Sequence, residues 1–375
     1  MPTNRGVFEL TILGCSGGPI SGKTCSFMLK PTDVDYAAIV SQDGAAEGAL
    51  LVIDAGTGLT SLVDILQNSS SYMESCFLLE LYPQNQDLIA TYVNTQNLAI
   101  TAPLRALRTA AAGTRSSLQL ADDVLNSIDA YLITHPHLDH VASLVINSPA
   151  FSSPKAVYGL PDTVASIKDN LFNGRVWPDL VSMGIIALHQ LADSVRVTDI
   201  SRRYSITPFK VSHGITASGS RYISTAFLIT DTKHDSSILL FGDVESDVVA
   251  NCNYNKVIWT HAAPLITANK LNTIVIECST VDKPPPLFGH MTPFNLIYEL
   301  STLRKLCVDL RYPDTYIGSR YQPLAGFNVI IIHVKETLDD VNPRCLILQR
   351  LNTLNTNFNL KINFTMALSG LSFVL

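Results

Sequence analysis

Between Thr134 and His140 the chain reads Thr-His-Pro-His-Leu-Asp-His, three imidazoles and one carboxylate within six residues. Neutral imidazole nitrogen and carboxylate oxygen are the donors that a borderline divalent cation such as zinc prefers. Buried ionisable groups are costly unless paired or coordinated, so packing gives no reason to place four of them at one turn. The apolar stretch directly before, Ala130–Ile133, reads as a buried strand. A strand that stops at such a cluster delivers metal ligands to the edge of a sheet.

Other chemistry-bearing residues stand in equivalent places. His213 follows the run Ile206–Val211, Asp243 follows Ile238–Gly242, Glu277 follows Thr273–Ile276, His333 follows Val329–Ile332, and His290 sits in a Gly-His turn. Any one of these alone is most simply a satisfied polar residue. Taken together they point to a shared rim, because strand ends of a layered protein converge there. Two zinc sites of four- to five-fold coordination need about six or seven protein groups. His135, His137 and His213 would serve one site, and Asp139, His140 and His333 the other. The two oxygens of Asp243 could bridge them, with a shared water completing the pair. Ions roughly 3.5–4 Å apart turn such a water into a hydroxide near neutral pH and clamp a phosphoryl group. Asp54 reads equally as a partner for a ligand imidazole N–H or as a turn-forming residue. His189, in a segment of helical pattern, and His234 and His261 read as surface or structural.

The elements that must position these groups are strand-like runs, most of which end in Gly or a polar residue: Val7–Leu13, Ala49–Ile53, Ala130–Ile133, Ile206–Val211, Ile238–Phe241, Thr273–Ile276, Val329–Ile332, and one or two more within Ile362–Leu375. Residues 61–125, rich in Ser, Asn, Thr and Ala, read as a helical insertion between two core strands, a cap without a catalytic part. Residues 161–200 and 293–308 are helical in pattern, with Pro293 suited to a first turn. Pro284-Pro285-Pro286 marks a rigid loop, and no internal repeat is evident. The pattern fits either a doubly wound sheet or a sandwich covered by helices.

The 375 residues are 47% hydrophobic and 15% charged, with a formal net charge of -6, which predicts a compact chain with a substantial core. We expect one metallo-hydrolase domain over 1–375. The acidic balance argues against a nucleic-acid polymer as partner. The seven cysteines are widely spaced with no C-x-x-C pair, as in reduced thiols of a cytoplasmic protein. Glu9 within Val7–Leu13 marks a first strand rather than a signal peptide. No apolar run reaches membrane-spanning length.

The His-x-His-x-Asp-His run, followed by a later His, a later Asp and a final His, resembles the metallo-β-lactamase fold. More narrowly, His135–His140 followed by Asn147-Ser148-Pro149 resembles the signature of the class II, low-affinity, fungal-type cyclic nucleotide phosphodiesterases. Further pieces are similar to that family along nearly the whole chain, among them Gly159-Leu160-Pro161, Trp177-Pro178-Asp179-Leu180, His213-Gly214-Ile215, Gly242-Asp243-Val244-Glu245, Glu277-Cys278-Ser279 and Leu287-Phe288-Gly289-His290. Ser143 stands where the signature usually has Gly.

The resemblance implies an α/β fold, a four-layer αβ/βα sandwich with a helical insertion, and two divalent metal ions, most simply Zn2+, on one edge. It implies hydrolysis of cyclic AMP and cyclic GMP to nucleoside 5′-monophosphates by a metal-bridging hydroxide, lowering cyclic nucleotide signals. His290 would protonate the leaving 3′-oxygen, as a comparable Gly-His turn does in a transfer-RNA-processing relative. Glu277 would either orient His290 or support a metal ligand. Phe172, Asn173 and Trp177 are candidates for the base pocket, with core packing and a helix cap as the equal alternative. Relatives of this fold often self-associate, so a homodimer is the expected assembly. The competing readings are a transfer-RNA 3′-end hydrolase of the same fold, which would want a basic arm not found here, and a metal protein that binds cyclic nucleotides without turnover.

Overall fold

The computed structural model describes residues 6–67, 81–82, 88–111, 114–281, 287–312 and 321–375. The first half and the C-terminus build a sheet from β1 (Phe8–Gly14), β2 (Ser26–Pro31), β3 (Leu51–Ile53), β4 (Ala99–Thr101), β5 (Ala130–Leu132), β6 (Lys155–Gly159), β7 (Ile186–Gln190) and β14 (Ser372–Val374), in the order β4-β14-β1-β2-β3-β5-β6-β7. The second half builds another from β8 (Tyr204–Ile215), β9 (Arg221–Asp231), β10 (Ser236–Phe241), β11 (Leu271–Glu277), β12 (Asn328–Ile332) and β13 (Asn363–Met366), ordered β13-β12-β11-β10-β9-β8. Strands β3-β5-β6-β7 and β10-β11-β12-β13 pair in parallel. Parallel neighbours need crossovers, and the helices supply them.

Period-two alternation sorts the side chains of the first sheet. Phe8, Leu10, Ile12, Phe27, Leu29, Leu51, Ile53, Ala130 and Leu132 face the second sheet in one apolar cluster. Leu13, Met28, Val52, Tyr131 and Ile133 point the other way, into a second cluster. That outer cluster is closed by α1 (Tyr36–Val40), α2 (Leu59–Gln67), α3 (Pro103–Ala110), α4 (Ser117–Asn126) and α5 (Leu138–Asn147). Helices α6 (Tyr254–Thr267), α7 (Pro293–Arg311) and α8 (Pro343–Asn357) cover the far face of the second sheet through Trp259, Leu296, Leu300, Ile347 and Leu351. The result is helix, sheet, sheet, helix: the four-layer αβ/βα sandwich.

Several elements differ from the sequence reading. The 61–125 stretch contains a strand, β4, which extends the first sheet by pairing antiparallel with β14. Residues 161–200 are not helical throughout. After a helix at Pro161–Ser166 and a π-turn at Ile167–Leu171, the chain forms β7 in register with β6. His189 therefore lies on an edge strand, its ring stacked on Tyr158 at 4.7 Å between centroids. A short apolar stretch such as Ile185–Leu188 has the same look in either state, and pairing with β6 decided it. Strands β2, β4, β6, β7 and β9 have no counterpart in the runs read from sequence. The Pro284–Pro286 loop and Cys76 lie outside the described residues. Cys15, Cys25, Cys252, Cys307 and Cys345 are free thiols. Among the described residues no helix is long and apolar enough to cross a membrane.

Candidate metal centre

The strand ends of both sheets meet at one edge, and each brings a polar group. β5 ends at Leu132, and the chain runs on to Thr134 and His135. His137, extended at φ -65 and ψ 149, is the N-cap of α5, whose first turn carries Asp139 and His140. Asp139 there also opposes the positive end of the helix dipole. His213 lies inside β8, not beyond it as the run Ile206–Val211 suggested. It sits where the register with β9 shifts, followed by Gly214 at φ +88. Asp243 follows β10, Glu277 closes β11, and His333 follows β12 in the left-handed region at φ +56.

These side chains form two nests that share Asp243. His135, His137, His213 and Asp243 bring ligand atoms within 4.8 Å of one another, and so do Asp139, His140, His333 and Asp243. In the first nest, His135 Nε2 lies 3.0 Å and His213 Nε2 3.3 Å from His137 Nδ1, while Asp243 Oδ2 is 3.8 Å and 3.5 Å from His135 and His213. In the second, His333 Nε2 lies 3.3 Å from Asp139 Oδ2 and 3.1 Å from Asp243 Oδ2, and His140 Nε2 lies 3.3 Å from Asp243 Oδ1. Three imidazole nitrogens that converge on one point beside a carboxylate are an arrangement for a cation. Both His140 Nε2 and Asp243 Oδ1 are buried without a hydrogen-bond partner, and their mutual approach is misaligned for one. Orphaned buried atoms of this kind are costly unless something else binds them. The residues present therefore fit a divalent ion in each nest.

A further ring of partners fixes how each imidazole points. Asp54, fully buried, accepts from Thr134 N at 2.8 Å and Thr134 Oγ1 at 2.8 Å, and its Oδ2 lies 2.7 Å from His140 Nδ1. Its φ of +54 makes it a turn residue as well, so both readings of Asp54 hold at once. His213 Nδ1 donates to the Gly289 carbonyl at 2.9 Å. Thr134 Oγ1 stands 3.0 Å from His135 Nδ1, and Ser279 Oγ 3.0 Å from His333 Nδ1. Such contacts set the tautomer and leave Nε2 for the ion.

Glu277 and His290 stand beside the second nest. His290 Nδ1 lies 2.9 Å from Glu277 Oε1, which also accepts from Val244 N at 2.7 Å. The other carboxylate oxygen accepts from Ser279 Oγ at 2.5 Å. Glu277 thus contacts His290 directly and reaches His333 through Ser279, the geometry that each of the two roles left open for it requires.

Protonation follows from these neighbours. Burial, reinforced by the surrounding imidazoles, pushes His135 well down, His137 down to about 4, and His213 down as well. Neutral rings are what a metal needs. For His140 burial pulls the same way, but Asp243 and Asp54 outweigh it and raise the group well above its ordinary value. Burial would raise Asp139 and Asp243; the histidines around them outweigh it and keep both carboxyls ionised. His290 is raised, burial being overcome by Glu277 and then Asp243. Cys25, whose sulfur lies near His140 and His333, is held as a neutral thiol by burial and by Asp243, Asp54 and Asp139.

Two features escaped the sequence reading. Tyr222 stacks on His137 with centroids 4.7 Å apart and planes 25° apart, and meets His135 and His213 edge-on. It lies on β9, a strand not recognised, so no signal led to it. Ser143 is helical, so its position needs no glycine. Its Oγ bonds Asn147 Oδ1 at 2.7 Å, and the close approach falls instead to Gly58, where a Cβ would meet that Oγ at 2.0 Å. The base-pocket candidates resolve to packing and a turn: Phe172 is a core residue, Trp177 packs against the same cluster, and Asn173 Oδ1 accepts from Arg175 N and Val176 N. His234 pairs with Asp231, and His261 with the Val257 carbonyl.

The family model for class-II cAMP phosphodiesterases matches residues 39–370. A 3′,5′-cyclic-nucleotide phosphodiesterase of Candida albicans is 36% identical over 98% of this chain and 99% of that protein. The 3′,5′-cyclic-nucleotide phosphodiesterase 1 of Saccharomyces cerevisiae is 31% identical over 97% and 98%. The crystal structure of unliganded yeast PDE1 superposes with a TM-score of 0.84 at 29% identity, over 99% of this chain and 100% of that one. A metallo-β-lactamase fold protein of Bacillus subtilis, at 11% identity and a TM-score of 0.51 over 97% and 98%, shares the fold alone.

Proposed function

The chain belongs to the class-II cAMP phosphodiesterases, and from that membership we propose how its own residues carry out the reaction. It hydrolyses 3′,5′-cyclic nucleotides. The observation that carries this is the likeness to fungal enzymes of that activity along nearly the full length of both partners. Neither the transfer-RNA-processing hydrolase nor the non-catalytic binder is favoured.

The metallo-β-lactamase fold and the donor set imply divalent metal. Our finer reading is two zinc ions, one held by His135, His137 and His213, one by Asp139, His140 and His333, with Asp243 shared. Bound there, such ions supply positive charge to the phosphoryl oxygens and lower the pKa of water for attack at phosphorus. Asp54, Ser279, Thr134 and the Gly289 carbonyl keep the ligand rings aimed. The ribose 3′-oxygen is a poor leaving group as an alkoxide and needs a proton. His290 holds one, because Glu277 fixes its Nδ1–H and stabilises the imidazolium, and it delivers that proton in the transition state. Glu277, Ser279 and Asp54 act through other residues and are positioning groups.

The substrate partner is a small cyclic nucleotide. The wide spacing of the seven cysteines, with no C-x-x-C pair, supports a cytoplasmic setting, and 1–375 reads as one metallo-hydrolase unit that pairs as a homodimer. The test is to incubate purified protein with cyclic AMP, cyclic GMP, bis(p-nitrophenyl) phosphate and a precursor transfer RNA, with and without zinc. Nucleoside 5′-monophosphates should form, chelator should abolish them and zinc restore them. Cleavage confined to the transfer RNA precursor would sink the reading.

A further inference from the structure

We propose that Glu245 is a positioning residue of the first nest: it grips the chain on both sides of His213 and so sets that ring against the shared Asp243. The assignment rests on the metallo-phosphodiesterase reading and deepens it. Glu245 follows Asp243 by two residues and is buried. A carboxylate out of water is costly unless hydrogen-bonded, so its partners identify its role.

Those partners flank a metal ligand. Strand β8 carries one residue more than β9 between the pairs Ser212–Ile223 and Ile215–Arg221, a bulge with His213 and Gly214 inside it. A bulge re-aims a side chain, and it also takes backbone groups out of the ladder. Glu245 meets them. Its Oε1 accepts from the Ser212 hydroxyl at 2.6 Å and from the Gly214 N–H at 3.1 Å, and its own N–H donates to the Ser212 carbonyl at 2.9 Å. His213 is thus bracketed on both sides by one residue.

The segment that carries Asp243 is tied in two directions. Val244 N donates to Glu277 Oε1 at 2.7 Å, toward the second nest, and Glu245 binds the β8 bulge, toward the first. Asp243 stands between the two ties, with its Oδ2 3.5 Å from His213 Nε2. Glu245 is not simply half of an ion pair. Arg221 Nη1 stands 4.0 Å from its Oε1 and bonds the Ser212 hydroxyl at 2.8 Å instead, while Arg221 Nη2 donates to the Ala250 carbonyl at 2.9 Å. Cation and carboxylate therefore meet across Ser212, the residue directly before His213. The Gly289 carbonyl orients the His213 ring, and Glu245 fixes the backbone that carries it.

The test uses zinc-loaded, full-length protein and three variants. Glu245→Leu keeps the bulk and removes the acceptor. Glu245→Gln keeps an amide oxygen that can accept both bonds. Ser212→Ala removes one arm and leaves the carboxylate in place. Each protein is titrated with a chelator and its remaining zinc counted by elemental analysis, with His135→Ala marking the step that belongs to the first nest. First-nest affinity should fall about 10- to 100-fold in Glu245→Leu, about three- to tenfold in Ser212→Ala, and by about threefold at most in Glu245→Gln, with the second nest unmoved. Where Glu245→Leu does not fold, Ser212→Ala carries the same comparison. Wild-type zinc retention in both Glu245→Leu and Ser212→Ala overturns the assignment. Equal weakening of both nests, or a Gln variant as poor as the Leu variant, overturns it too. A wild type that binds no zinc removes the metal reading and this one with it. Selective first-nest loss in the variants of a protein that leaves cyclic AMP intact upholds Glu245 and removes the phosphodiesterase reading instead.

Discussion

The two nests at the sandwich edge share Asp243 yet differ in kind. The first is an all-imidazole set whose Nδ1 atoms face neutral partners: Thr134 beside His135 and the Gly289 carbonyl beside His213. Burial therefore governs, and its histidines are neutral and ready for a cation. The second places His140 between two carboxylates, Asp54 and Asp243, and these outweigh the same burial and keep a proton on the ring. A cation entering there must displace that proton. Similar ligands, similarly buried, are thus set apart by what stands behind them. We expect the first nest to fill before the second, and occupancy of the second to rise with pH.

Removing the shared group should abolish the distinction. For Asp243→Ala, elemental analysis should find both nests depleted and turnover down roughly a thousandfold or more. His137→Ala and Asp139→Ala should approach that loss while emptying mainly one nest each; equal depletion of both nests by each would show that the division is not real. His290→Ala should retain metal and lose roughly 10²- to 10⁴-fold in rate on cyclic AMP. The loss should be far smaller on bis(p-nitrophenyl) phosphate, whose leaving group needs no proton. Because Glu277 raises the His290 pKa, the acid is present below that raised value and activity is lost as pH climbs through it. That limb should vanish from the pH profile of the variant.

Asp54→Asn sharpens the contrast further. It should weaken metal affinity of the second nest about 10- to 100-fold and flatten its pH dependence, with the first nest unmoved. The smallest effect belongs to Tyr222→Ala. Loss of a stacked ring is worth about 0.5–1.5 kcal/mol, so metal retention in the first nest should fall only a few-fold. Equal weakening of both nests would show that Tyr222 serves the fold and not His137.

Much of this centre was legible because strand ends carry their punctuation in the sequence. The run at 135–140, and His213, Asp243, Glu277 and His333 after apolar runs, needed only the expectation that such ends converge. What was illegible depended on pairing. β9 mixes buried Ser224 and Thr225 with apolar residues, so its alternation is weak, and Tyr222 was lost with it. β7 reads as helix until β6 is beside it. The Glu277–Ser279–His333 chain joins two strand ends through a hydroxyl that no spacing rule marks.

The bond from His213 to the Gly289 carbonyl reaches further than the orientation of one ring. The same glycine belongs to the turn that presents His290, and a Cβ on it would meet the His213 carbonyl at 2.4 Å. The His213 ring and the turn that carries His290 are therefore packed as one unit, so a change in either segment must be met by the other. Anyone grafting this activity onto another sandwich of the same architecture would have to transplant residues 212–215 and 287–291 together.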